Sequence, residues 1–170
     1  MLEGNKTFLI IMSAVVLHEL GHCFFIRLCG AKITRIDIEV IGALIVYDYS
    51  DLNSDIAVSL GGIIFNLASA FAGTAFFVFN RNLYLLVFIC ANLALAFINL
   101  LPVSNLDGGR ALNAFLLKKK DIDVADRISR RVSFIAKVLL LLISALLIYL
   151  SGFNIAMIIL FLLNLIQINN

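Results

Sequence analysis

Residues 7–28 read TFLIIMSAVVLHELGHCFFIRL. At about 1.5 Å per residue, a helix over this run is about 33 Å long, enough to cross a hydrocarbon core of about 30 Å. Within it sit His18, Glu19 and His22. An unpaired carboxylate near the middle of a span costs about 2.5 kcal/mol or more. A purely structural helix would gain nothing from that cost. His18 and His22 are the only histidines of the chain, and Glu19 is accompanied only by Glu3 and Glu39. The polar groups are therefore concentrated where they are most expensive, which points to chemistry at this position.

The rest of the chain has the same character. It has 170 residues, 62% of them hydrophobic, and a mean hydropathy of +1.06. Soluble domains are about 45–50% apolar. Further apolar blocks at 56–79, 83–101, 132–150 and 153–168 predict a polytopic bundle of about five transmembrane helices, an all-α membrane protein. Residues 1–170 are predicted to form one domain, with a core at about 7–117 and a C-terminal helical hairpin at about 132–168. The run Met1–Leu28 does not resemble a cleavable leader, since it lacks the usual basic start and small-residue cleavage site. Cys23, Cys29 and Cys90 are odd in number and read as free apolar fillers.

Lys118, Lys119, Lys120, Arg127, Arg130, Arg131 and Lys137 fall within one stretch between two apolar blocks. Too little basic surface lies elsewhere for nucleic-acid binding. The positive-inside rule makes this stretch, predicted as a loop or interfacial helix over 118–131, cytoplasmic. Counting spans back from it puts the inner end of the first helix on the same side, with Arg27, Lys32 and Arg35. Between the first two spans, Ile36, Ile38 and Val40 alternate with Asp37 and Glu39, a period of two that predicts a strand. A second β-prone run, 44–49, follows a turn at Gly42-Ala43. The small hairpin so formed lies near the cytoplasmic side, followed by a polar loop up to Asp55.

His18 and His22, four residues apart, share one helix face. Two imidazoles so placed can bind Zn²⁺, and a catalytic zinc site takes a third protein ligand and leaves a position for water. Glu19 is then the general base. Asp107 is the candidate third ligand, because it follows the break at Pro102, the only proline, and lies at the depth the topology assigns to HELGH. Irregular backbone at that depth is tolerated where it is buried in protein or lines a wet cavity. Its plain alternative is a helix N-terminal aspartate. Asp37, Asp48, Asp51 and Asp55 belong to a polar segment and look solvated. Asn66 and Asn92 inside spans, and Asn99 near the end of one, read equally as interhelical hydrogen-bonding groups or as donors to a substrate oxyanion.

Three segments together, HELGH, GGIIFN at 61–66 and NLLPVSNLDGGR at 99–110, resemble the site-2 protease family of intramembrane zinc metalloproteases. Order, spacing and topology agree over about residues 7–117. The resemblance implies one zinc ion held by His18, His22 and Asp107, with Glu19 catalytic and Asn66 in substrate handling. It implies a substrate that is a transmembrane segment of another protein, often a membrane-tethered transcription or sigma factor, and leaves room for a regulatory membrane partner. The compact form is similar to the branch of the stage IV sporulation protein FB, which implies a bacterial cell membrane. Gly62-Ile63 departs from the Gly-Pro common in the family. Hydrolysis needs an extended peptide, and an exposed strand edge supplies partners for its backbone. Ile36, Ile38 and Val40, or the run 44–49, are the expected pairing strand. The competing classes are a membrane metal carrier, which would spread ligands along a path, and a silent family member acting as a binding partner.

Overall fold

The computed structural model describes residues 3–39, 42–48 and 51–150. The apolar run around HELGH is helical throughout, as α1 (Gly4–Leu28). It begins three residues before its apolar stretch and ends just ahead of Gly30, whose φ of 73° is one that glycine adopts without steric cost.

The predicted hairpin is present. β1 (Lys32–Glu39) and β2 (Gly42–Asp48) pair antiparallel, with Ile36 opposite Ile45 and Ile38 opposite Ala43. Gly42 opens β2 instead of lying in the turn predicted for it. Val40, and Tyr49 at the end of the predicted second strand, lie outside the described residues. The register shifts between Ile33 and Arg35, and the Thr34 hydroxyl there donates to the Val46 carbonyl at 3.0 Å. The base of the hairpin is held by apolar contact. Ile33 and Tyr47 pack against Ile26 of α1 and Val58. The Tyr47 hydroxyl also donates to Asp55 at 2.6 Å.

α2 (Leu52–Phe79) starts four residues earlier than its hydropathy indicates. The cause is a cap: the Asp51 carboxylate accepts the Ser54 N–H at 2.9 Å, satisfying a donor left free by the helix start. Hydrogen bonding from the Ser54 side chain, and then from its N–H, also holds the Asp51 carboxyl below the usual carboxylate range. The polar segment 51–55 is thus mostly helix and not the loop predicted. α3 (Leu83–Leu100) is capped by Asn82, which accepts the Tyr84 N–H at 2.9 Å. It stops at Leu101, whose ψ of 140° is the extended conformation imposed before a proline.

α4 (Asp107–Leu117) is the short helix expected after the break. α5 (Ile122–Leu150) corrects the predicted basic loop. Only residues 118–121 connect, and the basic stretch from Ile122 onward continues into the following span as one helix. No glycine or proline falls between Ile122 and Leu150 to interrupt it, and Lys, Arg and Asp side chains are compatible with helix once it is nucleated. At about 1.5 Å per residue α5 exceeds the ~30 Å hydrocarbon core, so its basic end extends past it. The second helix of the predicted C-terminal hairpin, 153–168, lies outside the described residues.

α2 is the centre of the bundle, packing on α1, α3 and α4, while α5 packs on α4. α1 and α2 meet backbone to backbone. A Cβ on Gly21 would lie 2.5 Å from the Gly61 carbonyl oxygen, and one on Gly61 would lie 2.8 Å from that of Gly21. Such small-residue contacts are how helices associate in lipid. The interior is small or polar and the exterior apolar: Asn66 and Asn92 are 0% exposed while Phe71 is 80% and Phe79 91% exposed. Four described helices, α1, α2, α3 and α5, are long and apolar enough to cross a membrane. The chain is a multi-pass helical membrane protein carrying a two-stranded hairpin.

Candidate metal centre

His18 and His22 stand one helical turn apart on α1 and turn inward toward α2 and α4. Asp107 meets them as the first residue of α4, where the helix dipole favours a carboxylate. The connection that delivers it is tightly bonded. The Val103 N–H donates to the Leu101 carbonyl and the Leu106 N–H to the Val103 carbonyl, each at 2.8 Å. The Ser104 N–H donates across to the Ser133 hydroxyl of α5 at 2.9 Å. Gly108 and Gly109 follow Asp107 because a Cβ at either would collide with the backbone at Leu100 and Val103.

All three side chains are buried. His18 Nε2 and Asp107 Oδ2 are 2.9 Å apart, His22 Nε2 and Asp107 Oδ2 3.3 Å, and the two Nε2 atoms 3.2 Å. Ligands about 2.0–2.1 Å from a tetrahedral zinc are separated from each other by about 3.3 Å. His18 Nε2, His22 Nε2 and Asp107 Oδ2 are therefore spaced as three ligands that would hold one zinc ion.

The outer nitrogens fix what the inner ones can do. His18 Nδ1 lies 2.6 Å from Asn66 Oδ1 and His22 Nδ1 lies 2.8 Å from the Val58 carbonyl oxygen. Both partners only accept, so each Nδ1 carries the proton and each neutral ring presents an Nε2 lone pair to the centre. Two nitrogen lone pairs and a carboxylate oxygen converge within this short range, which requires a cation among them. A proton bridges one pair only, while a metal ion answers all three. The residues present fit zinc. Without a metal, burial alone would raise the Asp107 carboxyl, but hydrogen bonds and charge from the His18 and His22 rings in their protonated form outweigh it and hold it at about 2.

Gly62 forms the wall of the site. A Cβ there would lie 2.7 Å from both Nε2 atoms and 2.6 Å from His18 Cε1. Glu19 follows His18 on the helix, about 100° around the axis. It is half-buried, and its carboxylate accepts no hydrogen bond among the described residues.

The remaining candidates are placed differently. Asn66 meets His18 with its oxygen, and both its amide hydrogens are used, toward the Ala14 carbonyl at 3.0 Å and Asn92 Oδ1 at 2.8 Å. None is left for a substrate oxyanion. Asn99 donates to the Leu95 carbonyl of its own helix at 3.1 Å and makes no hydrogen bond to the three ligands. Ile36 and Ile38 lie on β1. Of the competing aspartates, Asp51 is occupied as a cap and Asp55 with Tyr47. The Val58 carbonyl and Gly62 escaped sequence reasoning, because neither has a side chain that signals a role.

The model of peptidase family M50 matches residues 79–144, the stretch that carries Asp107. The zinc metalloprotease MJ0392 of Methanocaldococcus jannaschii is 32% identical over 140 residues, covering 75% of this chain and 40% of that protein. The solved structure of the site-2 protease from the same organism superposes with a TM-score of 0.69 at 28% identity, over 96% of this chain and 74% of that one. The chain is thus similar in sequence and fold to site-2 proteases of peptidase family M50. It spans 40% of the length of the curated relative. The cluster of His18, His22 and Asp107 has a donor set that suits zinc. The family's Gly-Pro becomes Gly62-Ile63 here without loss of the close approach, since it is the missing Cβ of Gly62 that the ligands need.

Proposed function

We propose that the chain is an intramembrane zinc metalloendopeptidase that hydrolyses a peptide bond in or near a transmembrane segment of a membrane-tethered protein. The observation that carries this is the triangle of lone-pair atoms from His18, His22 and Asp107, sized for one zinc ion per chain. Held by His18, His22 and Asp107, zinc would supply Lewis-acid polarisation of the substrate carbonyl and a water ionisable near neutral pH. Glu19, whose carboxylate is uncommitted, takes the proton from the attacking water and returns it to the leaving amine. Asn66 serves His18, so an amide contact to the substrate falls to Asn99, which keeps one hydrogen free of the Leu95 carbonyl.

The substrate must be unwound before it is cut, and its freed backbone groups need partners. The hairpin packs beside the Val58 segment that orients His22, and among the described residues its two strands pair only with each other. Substrate addition along Ile36 and Ile38 fits this arrangement; Val40, the third residue of that strand expectation, lies outside the described residues. The basic start of α5 favours a cytoplasmic-side site. A membrane-tethered transcription or sigma factor suits that geometry, and a regulatory membrane partner is compatible with it. A metal carrier fits less well, because the three ligands meet at one point and not along a path.

Co-expression with single-span candidate substrates tests the proposal. Wild type should process a substrate that Glu19→Gln leaves intact while both retain zinc, and Asp107→Asn should lose zinc. Equal processing by wild type and Glu19→Gln would overturn it. Unchanged cleavage after proline substitutions along both strands would remove the hairpin from the mechanism.

A further inference from the structure

Asn66 and Asn92 are fully buried, on α2 and α3. Their amides form one directed chain. Asn92 Nδ2 donates to the Phe88 carbonyl at 2.9 Å, which turns Asn92 Oδ1 toward Asn66. Asn66 Nδ2 donates to that oxygen at 2.8 Å and to the Ala14 carbonyl at 3.0 Å. Asn66 Oδ1 is thereby left to accept from His18 Nδ1 at 2.6 Å.

The direction of this chain matters because an amide can be turned over. A flipped Asn66 would aim its oxygen at two other oxygens, those of Ala14 and Asn92, and its NH₂ at His18. Nδ1 of His18 would then have to accept. The ring proton would move to Nε2 and point at Asp107, closing the metal position. One oxygen on Asn92 therefore bears on which nitrogen of His18 is free. Buried amides facing like groups are costly, which holds one orientation.

We infer that Asn92, which touches neither substrate nor metal, is a positioning residue that selects the metal-binding tautomer of His18 through Asn66. This assignment rests on zinc binding at His18, and it is separable from it by experiment. The chain has two histidines, so protein labelled with ¹⁵N-histidine gives two imidazoles to observe. Spectra of metal-free protein in lipid nanodiscs at alkaline pH report the tautomer of each, and competition with a chromophoric chelator reports zinc affinity.

Wild-type His18 is expected as the Nδ1–H tautomer. Asn92→Leu should move His18 toward Nε2–H and weaken zinc binding about tenfold or more, with the His22 signals unchanged because a backbone carbonyl orients that ring. Asn92→Asp keeps an oxygen facing Asn66 and should retain the wild-type tautomer. Wild-type His18 found as Nε2–H overturns the inference, whether or not the leucine variant folds. So do unchanged His18 signals with zinc affinity within twofold in Asn92→Leu, or equal disturbance of both histidines in the leucine and aspartate variants. A wild type with the Nδ1–H tautomer and no zinc binding would overturn the metalloprotease proposal and leave the relay standing.

Discussion

His22 Nδ1 donates to the carbonyl oxygen of Val58, 2.8 Å away on the neighbouring helix. Of the two histidines proposed to hold zinc, one is thus oriented by backbone and the other, His18, by the side chain of Asn66. The two histidines should respond differently to substitution of their partners. Val58 is a core residue, 2% exposed. Val58→Ala removes two buried methyl groups and should cost about 1–3 kcal/mol of stability, yet zinc affinity should stay within twofold because the carbonyl remains. Chemical denaturation and zinc competition on the same sample measure both. A large loss of affinity with little loss of stability would contradict the backbone assignment.

Gly62→Ala should act in the opposite sense. Its new Cβ would stand 2.7 Å from both Nε2 atoms, closer than carbon and nitrogen approach without displacement. The ligands must move, and zinc affinity should fall more than tenfold with helix content preserved by circular dichroism. Stoichiometric zinc at wild-type affinity would show that α1 and α2 separate freely at this point.

Acidification separates the ligands by type. The Asp107 carboxyl is held at about 2 in the metal-free protein, below the ordinary carboxylate value. Its contribution to stability is complete above the unfolded pKa of about 3.9 and is lost as the pH falls through about 2. Between pH 7 and 4 it therefore stays ionised, and protonation of Asp107 should play no part in zinc release there. Infrared difference spectra of the metal-free protein, wild type against Asp107→Asn, check this, and an Asp107 carboxylic-acid band already present at pH 4 would contradict it.

Ser133→Ala should loosen the connection that carries Asp107. The hydroxyl accepts the Ser104 N–H at 2.9 Å, and its loss leaves that donor without its partner. A destabilisation of about 1 kcal/mol is expected, with faster hydrogen exchange at the Ser104 amide. Unchanged exchange there would mean that the turns within residues 101–106 hold the connection without α5.

Much of this protein was legible along the chain. The i, i+4 spacing of His18 and His22 puts two imidazoles on one face of any helix that contains them, whatever surrounds it. The cost of Glu19 in an apolar run, the alternation at Ile36 and Ile38, and the stop at Pro102 are local effects, and the spans, the hairpin and the break before Asp107 follow from them. The extent of α2 and α5 was less legible. Hydropathy marks where lipid contact ends, whereas a helix ends where its hydrogen bonds do. Asp51 extends α2 upstream, and the absence of a breaker joins 122–131 to the span that follows.

The sequence by itself determined the types and order of the candidate ligands, because these follow from periodicity and from the cost of polar groups in lipid. Only the tertiary structure decided which atoms face the centre. That choice depends on acceptors supplied by other helices, the Val58 carbonyl for His22 and the Asn92–Asn66 chain for His18. A ring's proton goes where a partner waits for it, and α1 contains no partner for either Nδ1.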